Sequence, residues 1–369
     1  MNQPQATPLL SRIRADVQAA HAYKVQDATG LVKLDAMENP YSLPPELQAA
    51  LGARLGALAL NRYPAQRVED LKKALARATD LPLGYSLMLG NGSDELISLL
   101  AMACDKPGAR VLAPEPGFVM YGLSAQWQGM EFVGVPLRPD FALDEPAMLA
   151  AIAQYQPAIT YIAYPNNPTA NLWSLTAIRS VIAAAGQIGG LVVMDEAYQP
   201  FSSHSWIDEI RSKPTQNAHV LLMRTLSKFG LAGVRIGYLM GPAALIEQIN
   251  KVRPPYNVSV LNAECALFAL EHAEIFAQQA QKLRGQRAMV FKKLQLLGGG
   301  VTPYPSEANM MLLRVAEGRA EMVFESLRAK GVLVKNVSTM HPLLRDCLRI
   351  TIGTADENAQ MVSALKASL

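Results

Sequence analysis

No stretch of this 369-residue chain holds the run of about 18 apolar residues that a membrane span requires. The amino-terminal MNQPQATPLLSRIRADV has no apolar core of the secretory-leader kind. Cysteine is scarce: Cys104, Cys265 and Cys347 are odd in number and far apart, which excludes a disulfide framework and a zinc cluster and fits a reducing compartment. The five histidines (His21, His204, His219, His272 and His341) are isolated, and none has metal-ligand spacing. No block of like charge exists; 34 Lys and Arg against 31 Asp and Glu leave a net charge of +3, which argues against a nucleic-acid partner and shows no acidic tail. The phosphate-loop pattern G-x-x-x-x-G-K-[ST] is missing, and so is any internal repeat. A soluble, cytoplasmic protein without a metal is expected.

What remains is rich in apolar material. Half of the chain is hydrophobic, enough for a large core, and the length fits two domains or one large domain with a smaller appendage. Residues 1–35 read as an arm with a short helix that joins the smaller domain. From about residue 86, seven apolar runs read as strands: SLMLGNG, RVLAPEP, EFVGVPL, AITYIAYP, LVVMDEAY, HVLLMRTLS and RIGYLMG. Helical stretches such as DELISLLAMAC, VMYGLSAQWQ and LTAIRSVIAAAG separate several of them. Continuous apolar strands alternating with helices predict an α/β fold, a doubly wound, mostly parallel seven-stranded sheet within a large domain over 36–255. After residue 255 a long helical stretch (AECALFALEHAEIFAQQAQKLRGQRAMVFKKLQLL) leads into strands NMMLLRV, VLVKNV and CLRITIG, a second, smaller α/β domain over 256–369.

In such sheets ligands bind beyond the carboxyl ends of the strands, so the polar punctuation there carries the chemistry. RTLSKFGLAGVRIG holds one lysine, Lys228, between two apolar runs. A desolvated ammonium loses its proton more easily, and a free amine condenses with an aldehyde. Taken alone, the same residue reads first as a surface-turn lysine, and the other stretches shift that reading. GNGSDE, between strand and helix, offers the amides of Ser93 and Asp94 to a phosphate, or else is an ordinary helix cap. YPNNPTA directs the amide of Asn167 from a stiff turn, or is only a turn. VVMDEAY ends a strand at Asp195, a carboxylate able to keep a pyridine nitrogen protonated, with Tyr198 beside it, or it is a capping acid. An aldehyde-capturing amine, a phosphate cradle, a pyridine partner and a donor to a phenolic oxygen are what pyridoxal 5'-phosphate needs.

The chain resembles the fold-type-I PLP-dependent aminotransferases in NPT, DEAY, TLSK and the R-x-G that follows, over nearly its whole length. Within them, ENPY, NRYP, GNGSDE, YPNNPT and DEAY look most like histidinol-phosphate aminotransferases. The resemblance implies a PLP-dependent transaminase of histidine biosynthesis acting on histidinol phosphate and glutamate or 2-oxoglutarate. It implies that Lys228 forms the Schiff base and moves the proton, Asp195 pairs with the ring nitrogen, and Tyr198 and Asn167 bond the phenolic oxygen. Ser93, Asp94, Ser227 and Arg235 would hold the phosphate, and Phe118 would stack on the ring. Tyr63 would reach the neighbouring subunit's site in a homodimer. Tyr23, Asn39, Lys335 and Arg349 would face the substrate, Lys335 standing where arginine is expected. Ala170 replaces the usual glycine after NPT, which puts the turn geometry in question. An aromatic aminotransferase or a threonine-phosphate decarboxylase shares many of these motifs. A regulatory module fused to a DNA-binding domain lacks support, because no helix-turn-helix region precedes the motifs.

Overall fold

The computed structural model describes residues 10–22 and 25–369. The chain separates into two units, 1–30 and 31–369. In the first, a helical turn at Leu10–Arg12 and a short helix at Ala15–Ala19 are joined by the Gln18 side chain, whose Nε2 donates to the carbonyls of Leu10 (2.9 Å) and Ile13 (2.7 Å). Among the described residues no helix is long and apolar enough to cross a membrane.

The second unit opens with β1 (Val32–Lys33). All seven runs expected as strands then form one sheet: β2 (Tyr85–Asn91), β3 (Arg110–Glu115), β4 (Glu131–Pro136), β5 (Ile159–Ala163), β6 (Leu191–Asp195), β7 (Val220–Thr225) and β8 (Ile236–Pro242). Their order is β2-β8-β7-β6-β5-β3-β4, and β8 runs antiparallel to both its neighbours while the other pairs are parallel. Alternate residues face opposite sides, so each strand feeds two apolar layers. Leu222, Met194 and Ile162 enter one core and Leu221, Val193 and Tyr161 the other. Burial on both faces explains why the strands read as unbroken apolar runs. A helix not predicted from the sequence, Glu145–Tyr155, covers one of these faces and is capped by Asp144, whose carboxylate accepts from the Ala147 amide.

Strand register decides where the site forms. β5, β6 and β7 are parallel and in step, with Ala163 opposite Asp195 and Asp195 opposite Met223. Their carboxyl ends therefore share one edge. Because β8 runs the other way, its first residues lie at that same edge, with Ile236 opposite Asn91 at the end of β2.

Beyond residue 255 the expected single long helix is two helices, Val260–Glu271 and Ala273–Leu297, which meet at His272 where the backbone leaves helical angles (φ −116°, ψ 34°). The remaining strands are β9 (Thr302–Pro303), β10 (Met310–Arg314), β11 (Val332–Leu333), β12 (Lys335–Asn336) and β13 (Cys347–Thr351). The run VLVKNV, expected as one strand, is split between two sheets: β11 pairs with β1, and β12 joins a four-stranded sheet ordered β12-β13-β10-β9. The break at Val334 lets one short segment serve both.

Candidate active site

A cavity of about 330 Å³ opens at the shared edge of the seven-stranded sheet. Ser93, Asp94, Phe118, Asn167, Asp195, Tyr198, Ser227, Lys228 and Arg235 all line it. Residues scattered from Ser93 to Arg235 meet because each ends a strand, or starts one running the other way. A larger cavity of about 690 Å³ lies across Phe118 and Tyr121, but it contains neither Lys228 nor Asp195.

Lys228 sits on a short helical turn, Ser227–Leu231, that follows β7 directly. The turn is closed by Gly230 at φ 138°, where a Cβ would strike Phe276 at 2.8 Å. Lys228 Nζ donates to the Ala36 carbonyl at 3.0 Å. Burial, and then the positive charges of Arg349 and Arg235, lower its pKa to about 8, against the opposing charges of Glu38 and Asp94. Asp195, at the end of β6, is buried, and burial pushes its carboxyl up to about 6. Hydrogen bonds from Tyr121 Oη to Oδ2 (2.6 Å) and from the Ala197 amide to Oδ1 (3.0 Å) work against that rise, while the charges of Asp94 and Glu196 add to it. Behind Asp195, Glu196 is tied to Arg224, to the Ser205 hydroxyl and to the Trp206 amide. This buried pair holds the DEAY turn from the far side of the sheet.

The opposite end of the cavity suits an anion. The helix Ser93–Cys104 begins after Gly92 without a side-chain cap, so its first amides are not claimed by a capping side chain. Arg235 Nη2 lies 3.2 Å from Asp94 Oδ2, and Arg235 Nη1 donates to Ser227 Oγ at 3.4 Å. The Ser227 amide donates to Thr225 Oγ1 at 3.1 Å, fixing the serine's orientation. Two glycines make this convergence possible. A Cβ on Gly92 (φ 81°) would lie 2.5 Å from Arg235 Nη2, and one on Gly237 would lie 2.6 Å from the Gly92 carbonyl carbon. Arg235 itself adopts a left-handed backbone (φ 56°), a strained choice for a side chain that must enter the cavity.

On the third side, Asn167 Oδ1 accepts from Arg349 Nη1 at 2.7 Å, which leaves the amide's N–H donors directed away from the arginine. Arg349 is buried and also donates to the Asp35 carbonyl at 2.8 Å. Tyr198 is buried, and burial raises its phenol pKa, with Arg349 opposing. The NPT turn keeps a glycine-like shape without the glycine: Ala170 is fully buried at φ 62°, held by its amide to the Asn166 carbonyl (2.9 Å) and by its carbonyl to the Glu307 amide (2.7 Å).

The other residues singled out in the sequence lie apart from the cavity. Lys335 on β12 is the register partner of Arg349 on β13, so both cations start from adjacent positions of one sheet. Asn39 is occupied within the chain: Nδ2 donates to Gln279 Oε1 (2.8 Å) and Oδ1 accepts from the Tyr41 amide (2.9 Å). Tyr63 is 76 % exposed and stacks on Tyr256, ring centroids 4.2 Å apart. Tyr23 lies outside the described residues. Conversely, Tyr121, Glu38 and the Ala36 carbonyl belong to the site without having been read from the sequence. Tyr121 follows Phe118 by one helical turn, the only local signal that both rings reach one side.

A sequence model of the family "Aminotransferase class I and II" matches residues 29–365. The chain is 65 % identical to a histidinol-phosphate aminotransferase of Paracidovorax citrulli (strain AAC00-1), with 98 % of each chain covered. It is 62 % identical to one of Acidovorax sp. (strain JS42), with 100 % of each covered. Its fold matches that of histidinol-phosphate aminotransferase from Sinorhizobium meliloti in complex with pyridoxal-5'-phosphate, at a TM-score of 0.84, 23 % identity and 97 % coverage of each chain. With its motifs gathered at the sheet edge where the architecture puts a ligand, this chain belongs to the class I and II aminotransferases.

Proposed function

We propose that the chain is a pyridoxal 5'-phosphate-dependent transaminase that converts imidazole acetol phosphate and glutamate to histidinol phosphate and 2-oxoglutarate. The observation that carries this reading is the pairing, in one cavity, of a half-buried lysine and a buried carboxylate with an anion-binding end made by Arg235, Ser227 and the helix start at Ser93. The donor set fits the cofactor: Asp195 for the ring nitrogen, Asn167 and Tyr198 for the phenolic oxygen, Phe118 for the ring face, and Ser93, Asp94, Ser227 and Arg235 for the phosphate. When bound, the cofactor supplies an aldehyde carbon and a ring that withdraws electrons.

Lys228 then acts as nucleophile and proton carrier. At pH 7 a pKa of about 8 leaves roughly a tenth of the amines free, against about 3 in 10,000 at the ordinary value. Asp195, with its pKa near 6, is mostly ionised at the same pH, as holding a proton on a pyridine nitrogen requires. Arg349 binds the substrate's anionic group, and Lys335, beside it in the sheet, adds a second cation without a guanidinium fork. Asn39 supports the substrate side by holding the loop that carries Glu38. Residues 36–255 form the cofactor-binding part and 256–369 the smaller part carrying Arg349, with 1–35 as an amino-terminal arm. The chain works in the cytoplasm as a homodimer, Tyr63 reaching the phosphate of the neighbouring site; the exposed stack of Tyr63 on Tyr256, with exposed Leu60 and Leu261 close in sequence, supports that surface as an interface.

The full-length relatives at 62 to 65 % identity support the substrate choice. A substrate panel tests it: kcat/KM is expected to be highest for imidazole acetol phosphate with glutamate. A preference for aromatic keto acids, or carbon dioxide release from threonine phosphate, would overturn the choice.

A further inference from the structure

We infer that Tyr121 is the positioning residue of Asp195, its hydroxyl holding the carboxylate ionised and aimed at the ring nitrogen. The inference rests on the cofactor reading above and adds a residue to it. Tyr121 is buried near the start of the helix Met120–Gln128. Its ring is held from two sides: stacked on Tyr161 of β5 at 4.2 Å and 7°, and edge-on to Phe118 at 5.6 Å and 84°. A ring fixed in this way fixes the direction of its O–H, which donates to Asp195 Oδ2 at 2.6 Å. The Ala197 amide takes Oδ1, so both oxygens are oriented and each keeps a lone pair for a donor in the cavity.

The donor is permanent. Burial, followed by the charge of Asp195, pushes the Tyr121 phenol well above its ordinary value, so it does not ionise near neutral pH. The other titratable groups around the carboxyl give it no such help. Asp94 and Glu196 favour its protonation by their charge, and burial does so more strongly. Tyr161 and Tyr198 are buried phenols that stay neutral, and Tyr161 Oη has no hydrogen-bond partner among the described residues. Without the Tyr121 hydroxyl the carboxyl would retain its proton at higher pH, and a protonated carboxyl cannot hold a pyridine nitrogen protonated.

The test uses holoenzyme reconstituted with cofactor labelled with ¹⁵N at the ring nitrogen. In the wild type the NMR signal is expected to be that of a protonated ring at pH 7.5. In Tyr121→Phe it shifts toward the neutral ring, the half-reaction with glutamate slows about tenfold as for a lost charged hydrogen bond, and near-ultraviolet circular dichroism is unchanged. Tyr161→Phe leaves the signal in place. A Tyr121→Phe enzyme with the wild-type ring signal overturns the inference, whatever its rate. If that variant does not fold, fluorotyrosine at position 121, a stronger donor, must lower the midpoint at which ¹³C-labelled Asp195 loses its proton, and an unchanged midpoint overturns the inference. Wild-type protein that binds no labelled cofactor overturns the cofactor reading as well.

Discussion

Lys228 and Asp195 are moved toward neutrality from opposite directions by the same cause. Burial disfavours charge, so the ammonium falls to about 8 and the carboxyl rises to about 6. Capture of pyridoxal phosphate by the cofactor-free protein is therefore expected to speed up with pH around a midpoint near 8, followed by visible absorbance, and Lys228→Ala should abolish that absorbance. A midpoint near the ordinary lysine value would contradict the burial argument. For Asp195 the folded pKa lies above the ordinary 3.8, so the folded state binds its proton more tightly. Its favourable contribution is fully present below that value and is lost as pH rises through 6, leaving a cost of roughly 3 kcal/mol above it. Asp195→Asn is expected to stabilise the cofactor-free protein at pH 8 by up to about that amount, measured by urea unfolding, with the gain shrinking as pH falls through 6. The same substitution should slow transamination by roughly 100-fold or more; near-normal turnover would remove Asp195 from the chemistry.

Among elements, the approach of β8 to the helix at Ser93 is the most constrained. A methyl on Gly237 would meet the Ser93 amide nitrogen at 2.7 Å, and backbone there cannot swing aside as a side chain could. Gly237→Ala is expected to cost about 1–3 kcal/mol in stability and to weaken cofactor binding by about tenfold or more by displacing the anion-binding amides, read by absorbance titration. The turn at Ala170 behaves differently. Glycine there would relieve about 1–2 kcal/mol of left-handed strain. It would lose about 0.8 kcal/mol of methyl burial and about 0.5–1 kcal/mol to greater freedom of the unfolded chain. These offset, so Ala170→Gly should change stability by less than about 1 kcal/mol in a thermal melt. This explains how alanine is accommodated where the resemblance implies glycine.

For the whole molecule, the exposure of Tyr63 and Tyr256 bears on whether the site is complete in one chain. If Tyr63 serves the neighbouring site, Lys228→Ala and Tyr63→Ala chains mixed and allowed to exchange should regain activity that neither shows alone. Random pairing yields hybrids in half of the dimers, each with one intact site, so about a quarter of wild-type activity is expected. No recovery in proven hybrids would place the tyrosine's action elsewhere.

The apolar runs and their punctuation alone determined the seven strands, the α/β class and the clustering of Ser93, Asn167, Asp195 and Lys228, and the resemblance added Ser227 and Arg235. Burial on both faces of a parallel sheet leaves a local trace, and ligands meet such sheets at strand ends. The tertiary structure decided what depends on contacts between remote residues: Tyr121 on Asp195, Arg349 on Asn167, Asn39 on Gln279, the sharing of VLVKNV between two sheets, and the left-handed backbone of Ala170. None of these leaves a local pattern. A tyrosine in an amphipathic helix reads the same whether its hydroxyl meets water or a carboxylate brought to it from a strand end, and only packing sets the difference.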